Sequence, residues 1–420
     1  MNQVTRLANG LTVATATMPE MASVAVGVWV GVGARHEPAS LNGVSHFIEH
    51  MLFKGTRRRS ARAISETVEG HGGYLNAFTT EEETCFHARA GADRADPLVD
   101  VLLDMLLHSR FDPCEIEKER TVIKEELEMY RDDPRQHVQD LLTETLWPDH
   151  PLGRNLAGSE ATVSALTRDQ LLRYHRHHYV AGSTLLAAAG HLQHEPFVRM
   201  VARRARAFPQ GPRPGYLPAI SNQDRPRVRL ECRPAEQTQL ALGVRTCSRH
   251  DPRRHALRLL NAILGENMSS RLFQTLREEH GIAYSVHSGL NFFDDTGSLE
   301  IGAGLDAANL SRALTLILRE LRRLTRQPPS VTEVRRARDY LIGQLELSLE
   351  STEHRMMWVG EQYLAYGRIT RPDEVKRHVA SITPAQITRV ARDFFRPERL
   401  NLAVVSEIKS ARGLARYLHL

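Results

Sequence analysis

The chain has 420 residues, of which 41% are hydrophobic and 25% charged, and its formal net charge is +5. This composition is typical of a soluble globular protein and argues against a disordered chain. Its basic residues are dispersed, apart from the short run Arg57-Arg58-Arg59, so we expect no nucleic-acid partner. There is also no stretch of about 18 apolar residues, so we expect no membrane partner.

The cysteines and the first residues indicate the compartment. The four cysteines are isolated, with no CxxC pair, which is typical of proteins in a reducing environment. The opening segment, MNQVTRLANGLTVATATMPE, has no basic region followed by an apolar region, the pattern of a signal peptide. We therefore expect a cytoplasmic protein.

The first element in chain order is the segment VAVGVWVGV at residues 24–32. Its valines alternate with small residues and Trp29, and this period of two predicts a strand with two different faces. Strand-like segments of this kind alternate with helix-like segments and short turns. We therefore expect an α+β fold, with mostly antiparallel sheets and helices packed on them.

The segment HFIEH at residues 46–50 points to metal chemistry. A helix over residues 43–53 would have two different faces, one with Val44, Phe47, Ile48 and Met51 and the other with His46, Glu49, His50 and Phe53. Histidines at i and i+4 can chelate one zinc ion, and the carboxylate beside the second histidine reaches the same volume. By composition the pattern is expected by chance at most about 0.1 times in such a chain. The alternative interpretation, an ordinary helix with two solvated histidines, holds unless another segment supplies a third ligand.

The next two predicted helices lie close together in the sequence. Residues 95–109, ADPLVDVLLDMLLHS, have the apolar spacing of an amphipathic helix, and a second helix is predicted to begin after Asp112, with Pro113 at its first position. On this second helix Glu119 and Glu126 are two turns apart and share one face. A hydrolytic zinc site uses three protein ligands and leaves one position for water. One of these glutamates could complete such a site, although either alone could simply be solvated.

The two halves of the chain repeat each other. The segment ARHEP at residues 34–38 returns as SRHDP at residues 248–252, and several later segments match at a similar offset. A proline-rich segment, which disfavours regular structure, lies between the copies. We predict an N-terminal zinc-binding domain at 1–206, a linker at 207–226 and a homologous C-terminal domain at 227–420.

The second copy lacks the whole set of metal-binding side chains. Ala337 and Gln344 occupy the positions of Glu119 and Glu126, and the counterpart of the HFIEH helix has no such motif. A joint loss is expected of residues that serve one site. The histidines of HRHHY at 175–179 also have no counterpart in the second half, and we interpret them as ordinary helix residues rather than a second metal site.

The spacing of these motifs resembles that of a known family. HFIEH, with Glu126 placed 76 residues after His50, is similar to the inverted zinc motif of the pitrilysin, or insulin-degrading-enzyme, family of metallopeptidases. The resemblance covers nearly the whole chain, through NGLTV, GVGARHEP, GGYLNAFTTEEET, EKERTVIKEELEM and SSRLFQTLREEHGIAYSV. It is strongest to half-length members related to the β subunit of mitochondrial processing peptidase. The resemblance implies two homologous domains of the pitrilysin-like fold.

The resemblance implies a role for each residue of the first constellation. His46, His50 and Glu126 would be the ligands of one Zn²⁺ per chain. Glu49 would be the general base. Glu119 matches a family glutamate near the zinc, and we expect it to orient a ligand histidine.

It also implies residues that contact the substrate. Asn76, Ala77 and Phe78 match an edge strand that pairs with the substrate backbone. Arg277 and Tyr284 match a pair by which the second domain binds substrate and stabilises the transition state.

The function that the resemblance implies is zinc-dependent endopeptidase activity. The substrates would be short or unfolded polypeptides, held as an extended strand in a closed chamber. Full-length relatives have four copies of this domain and this chain has two, so we expect a homodimer. The alternative is a non-catalytic or partner-dependent structural subunit of the same family.

Overall fold

A computed structural model describes residues 2–419, which form two sheets with helices packed on both faces. The strands are β1 (Asn2–Arg6), β2 (Thr12–Thr17), β3 (Ser23–Val30), β4 (Tyr74–Thr79), β5 (Thr84–Gly91), β6 (Thr184–Gly190), β7 (Arg227–Cys232), β8 (Thr238–Thr246), β9 (Ala283–Phe292), β10 (Gly297–Leu305) and β11 (Asn401–Ser406). The helices are α1 (Val44–Leu52), α2 (Ala61–Val68), α3 (Ala95–His108), α4 (Pro113–Asp132), α5 (Pro134–Leu146), α6 (Glu160–Ala165), α7 (Arg168–His178), α8 (His194–Arg204), α9 (Arg254–Leu264), α10 (Leu310–Arg326), α11 (Val331–Ser348), α12 (Thr352–Tyr366), α13 (Pro372–Ser381) and α14 (Pro384–Phe394).

The chain divides into two compact units, each made of separate segments. Unit 1 contains the residues up to Glu128, with Arg154–Leu217 and Glu346–Thr370. Its sheet has the order β1-β2-β6-β3-β5-β4, in which β2 and β6 run parallel and the other neighbours run antiparallel. Strand β4 is therefore an edge strand of this sheet.

The central strand β3 shows why the sequence folds into a layered unit. Its valines face a core formed with α1, α3 and α7, whereas Trp29 on the other face packs against α12. The helix approaches closely because Gly360 has no side chain: a Cβ atom there would lie 2.2 Å from Nε1 of Trp29. The predicted alternation of β3 is confirmed, and both of its faces are buried.

Unit 2 repeats the topology of unit 1. It contains Met129–Gly153, Pro218–Leu345 and the segment from Arg371 onward, and its sheet has the order β7-β11-β8-β10-β9. Strands β7 and β11 run parallel and the other neighbours antiparallel, as in the last five strands of the first sheet. Helix α5 packs on β11 and β8, as α12 does on the first sheet. The predicted α+β fold with two mostly antiparallel domains is confirmed.

The two units also share the same hydrogen bonds at the start of corresponding helices. Thr167 and Gln170 at the start of α7 form a capping box, with the Thr167 amide donating to the glutamine side chain over 2.8 Å. Thr383 and Gln386 at the start of α14 form the same box with the same distance. The two boxes satisfy the same exposed amides in both units.

The proline-rich segment between the copies has no helix or strand over residues 208–226. The predicted domain limits, 1–206 and 227–420, stay a prediction, because repetition in sequence and compactness in space are different criteria. Among the helices of residues 2–419, none has the length and apolar character that a membrane span requires.

Candidate metal centre

Helix α1 is held in place at its start by a buried carboxylate. Glu37 accepts hydrogen bonds from the backbone amides of Gly43 and Ser45, at 2.7 and 2.8 Å, and so satisfies N–H groups at the helix start. Gly43 adopts φ 92°, where a Cβ atom would lie 2.5 Å from the carbonyl oxygen of Ala157. Burial raises the pKa of Glu37.

Three side chains from α1 and α4 converge. Nε2 of His46 lies 3.7 Å from Oε2 of Glu126, and Nε2 of His50 lies 3.6 Å from the same oxygen. The three ligand atoms lie within 4.8 Å of one another, and within residues 2–419 this is the only group of three such side chains close enough to share a metal ion. Four tetrahedral ligands at about 2.0–2.2 Å from zinc are about 3.3–3.6 Å apart, so the two histidine–glutamate separations are close to those that a zinc ion requires.

The polar face of α1 is less exposed than the sequence suggests. The apolar and polar faces separate as predicted, yet His46 is only 8% exposed because α4 and β4 lie against this face. Burial, followed by the neighbouring His50, lowers the pKa of His46 to about 4, although Glu126 opposes the effect. His46 is therefore neutral near pH 7, as a metal ligand must be.

Glu119 bridges a histidine and a lysine behind the cluster. Its Oε2 lies 3.0 Å from Nδ1 of His50 and its Oε1 lies 2.7 Å from Nζ of Lys54. Burial alone would raise the pKa of Glu119, but the bonds to His50 and Lys54 outweigh it and the pKa falls. An ionised Glu119 accepts a hydrogen bond from Nδ1–H of His50, which leaves the Nε2 lone pair of the neutral ring free for a metal ion beside Glu126.

Glu49 lies on the same face of α1 and contacts the edge strand. The hydroxyl of Thr79, the last residue of β4, donates a hydrogen bond of 2.6 Å to Oε2 of Glu49. Burial raises the pKa of Glu49, and the bond from Thr79 acts in the opposite direction. A carboxylate held beside a metal position is equipped to accept a proton.

The other predicted substrate residues of unit 1 lie on β4. Ala77 packs toward the core shared with α1, whereas Phe78 faces the other side, with its ring 5.6 Å from that of Trp29. The side-chain amide of Asn76 donates to the Tyr74 hydroxyl over 2.5 Å. The structure therefore places these residues on an edge strand beside the cluster.

Unit 2 brings Arg277 and Tyr284 together. Arg277 lies in the helical segment Phe273–Glu279, and its guanidinium carbon is 5.8 Å from the centre of the Tyr284 ring. Tyr284, near the start of β9, is 68% exposed. An exposed tyrosine beside an arginine is available to a ligand.

Sequence reasoning missed two residues that touch the site. Lys54 has a detectable signal, because it lies four residues after His50, just beyond the end of α1, and α4 is rich in glutamate. Thr79 has no such signal: it is 30 residues from Glu49, and the contact depends on how β4 packs against α1. The histidines of HRHHY, His175, His177 and His178, lie in the last turn of α7.

Fold and site together define a two-domain α+β protein whose first unit carries a candidate metal centre of two histidines and one glutamate. Residues 12–160 match the model of the insulinase family, peptidase family M16, and residues 165–341 match that of the peptidase M16 inactive domain. The chain belongs to peptidase family M16.

Relatives and solved structures agree with this assignment. An uncharacterized zinc protease of Streptomyces coelicolor is 38% identical over 415 residues, 96% of this chain and 89% of that protein. The uncharacterized zinc protease YmxG of Bacillus subtilis is 35% identical over 399 residues, 95% of this chain and 96% of that protein. A protease from Helicobacter pylori has a similar fold, with a TM-score of 0.91 at 19% identity over 97% of this chain and 99% of that one.

Proposed function

We propose that this protein is a zinc-dependent endopeptidase that hydrolyses peptide bonds of short or unfolded polypeptides. The observation that carries the proposal is the convergence of His46, His50 and Glu126 on one small volume, with Glu49 on the same helix face. The names of the relatives, zinc proteases, support the choice of metal.

In this proposal one Zn²⁺ per chain would be held by His46, His50 and Glu126. When bound, zinc supplies a Lewis acid that polarises a carbonyl group and acidifies water at neutral pH. Three protein ligands, rather than four, are typical of hydrolytic zinc sites. Glu119 keeps His50 in the tautomer that this arrangement requires.

The proton transfers belong to Glu49. Its carboxylate accepts the proton of the attacking water and later delivers it to the departing amine nitrogen. In unit 2, Arg277 and Tyr284 would bind the substrate, with the Tyr284 hydroxyl donating to the oxygen that gains charge in the transition state.

The substrate would bind as an additional strand. The edge position of β4, with Asn76, Ala77 and Phe78, supports this mode, because backbone hydrogen bonds to an edge strand give affinity with little demand on sequence. Folded proteins should resist cleavage. We further propose that two copies of the chain form a C₂ homodimer that encloses the peptide in a chamber.

The first test measures zinc and cleavage together. The purified chain should contain one zinc ion and should cleave an unbiased peptide library, and Glu126→Ala should lose both properties. Glu125→Ala is the matched control, because Glu125 is the exposed neighbour of Glu126 on α4. Zinc bound at full occupancy without cleavage of any peptide would favour a structural subunit instead.

A further inference from the structure

Thr79 forms a hydrogen bond with one carboxylate oxygen of Glu49, the proposed base, and none with the other oxygen. Its hydroxyl donates to Oε2 of Glu49 at 2.6 Å, and in the described part of the chain no hydrogen bond reaches Oε1. A glutamate side chain has several rotatable bonds, so a carboxylate that forms no hydrogen bond samples many orientations. A single bond to one oxygen therefore restricts where the second oxygen points.

The donor is itself held from both sides. Thr79 pairs with Thr84 at the end of the β4–β5 hairpin, and the Thr84 hydroxyl donates to the carbonyl oxygen of Val32 over 2.9 Å. Thr80, the next residue, accepts a hydrogen bond from the backbone amide of Ala34 at 3.1 Å. The hydroxyl position is thus set by backbone pairing rather than by a mobile loop.

A buried ion pair anchors the same hairpin. Nη1 of Arg35 lies 2.6 Å from Oε1 of Glu82, and the Arg35 side chain is fully buried under the ring of Tyr216, 4.0 Å away. Gly33 allows the approach, since a Cβ atom there would lie 2.1 Å from the carbonyl oxygen of Thr80. The segment at residues 33–35 and the hairpin therefore hold Thr79 in a fixed place opposite α1.

Unit 2 provides an internal comparison. The corresponding helix and edge strand, α9 and β9, are also joined by a side-chain hydroxyl: Ser288 donates to Oδ1 of Asn261 over 2.7 Å. This unit has no metal-binding histidine pair, so there the bond has only a structural role. Removal of the bond in unit 2 therefore measures its effect on stability alone, whereas removal of the bond in unit 1 measures its effects on stability and on catalysis together.

We propose that Thr79 is a positioning residue that orients Glu49 for proton transfer by holding its Oε2 atom. This inference rests on the proposed function, in which Glu49 is the base. A misplacement of about 1 Å in a reacting group can cost roughly a hundredfold in rate. The loss of this bond should therefore affect the chemical step more than zinc or substrate binding.

The test compares Thr79→Val with Thr79→Ser and Ser288→Ala. Thr79→Val should retain one zinc ion per chain and an unchanged KM, while kcat falls by about 10–100-fold. Thr79→Ser keeps the hydroxyl and should restore most of kcat. Ser288→Ala removes the comparable bond in unit 2 and should leave kcat unchanged, with a similar small loss in melting temperature. If Thr79→Val does not fold, Thr79→Ala provides the same measurement.

Three results would overturn the inference: wild-type kcat in Thr79→Val, failure of Thr79→Ser to restore activity, or loss of zinc that accounts for the lost rate. Failure of the proposed function has a different signature. In that case either the zinc-loaded wild-type chain would cleave no peptide, or zinc-loaded Glu49→Gln would turn over peptide at the wild-type rate, whatever the Thr79 variants do.

Discussion

Nδ1 of His50 donates a hydrogen bond to Oε2 of Glu119, at 3.0 Å, from the side of the ring opposite the metal position. This contact fixes the tautomer and the ring plane of a proposed ligand. Glu119→Ala should therefore weaken zinc binding by about 10–100-fold without removing a ligand. Competition with a chromophoric chelator measures the affinity. Glu117→Ala, on the solvent side of α4, is the control, and equal affinities of the two variants would contradict the orienting role.

Removal of zinc should abolish activity but leave the fold intact. The inner face of α1 is fully buried in the core of unit 1, with Val44, Phe47 and Ile48 at 0% exposure, so packing rather than metal holds the helix. After treatment with phenanthroline, the far-ultraviolet circular dichroism at 25 °C should be unchanged. A loss of helical signal would mark the site as structural.

His175 should make the stability of the protein sensitive to acid. Burial lowers its pKa from 6.5 to about 4, and its Nε2 atom is buried without a hydrogen-bond partner among the described residues. The folded state resists protonation of His175. The stability that the neutral side chain contributes is therefore fully present above pH 6.5 and is lost as the pH falls toward 4. The difference between the two pKa values corresponds to about 3 kcal/mol in the free energy of unfolding.

His175→Phe should flatten that part of the pH profile, because an aromatic ring that cannot be protonated would replace the imidazole beside Phe111 and Tyr179. Urea denaturation of the zinc-free protein between pH 4 and 7 measures the effect. His177→Phe, at an exposed position of the same helix, is the control. An unchanged slope in His175→Phe would show that other groups govern acid unfolding.

Mixed dimers test whether the active site is shared. In the proposed C₂ homodimer, the zinc centre of one copy would meet the Arg277/Tyr284 pair of the partner subunit. Glu49→Gln and the double variant Arg277→Ala/Tyr284→Phe should each be nearly inactive alone. Co-expressed with different tags and purified as heterodimers, they should regain part of the activity, because one of the two sites is then intact. Activity no higher than that of either parent would mean that the pair acts within its own chain or not at all.

The sequence predicted those elements whose signal is local. The alternation of valines with Trp29 defined both faces of β3, and the spacing of His46 and His50 placed both on one face of α1, because each pattern repeats with the period of its own element. The proline after Asp112 marked the start of α4, whose first residue it is.

Long-range packing could not be predicted in the same way. Nothing local in the sequence of α12 indicates that this helix covers the first sheet, in contact with Trp29. The bond from Thr79 to Glu49 depends on the position of an edge strand against a helix, and the burial of His46 depends on α4. These contacts depend on packing between distant segments, and the periodicity within one segment carries no information about such packing.

The most direct test of the central proposal is the turnover of Glu49→Gln with zinc bound. The substitution removes the proton acceptor and leaves His46, His50 and Glu126 in place, so the variant should bind one zinc ion and melt near the wild-type temperature. Its kcat on a quenched peptide should fall by at least about 100-fold, the scale of general-base catalysis. Turnover close to the wild-type rate in the zinc-loaded variant would contradict the assignment of Glu49 and the mechanism built on it.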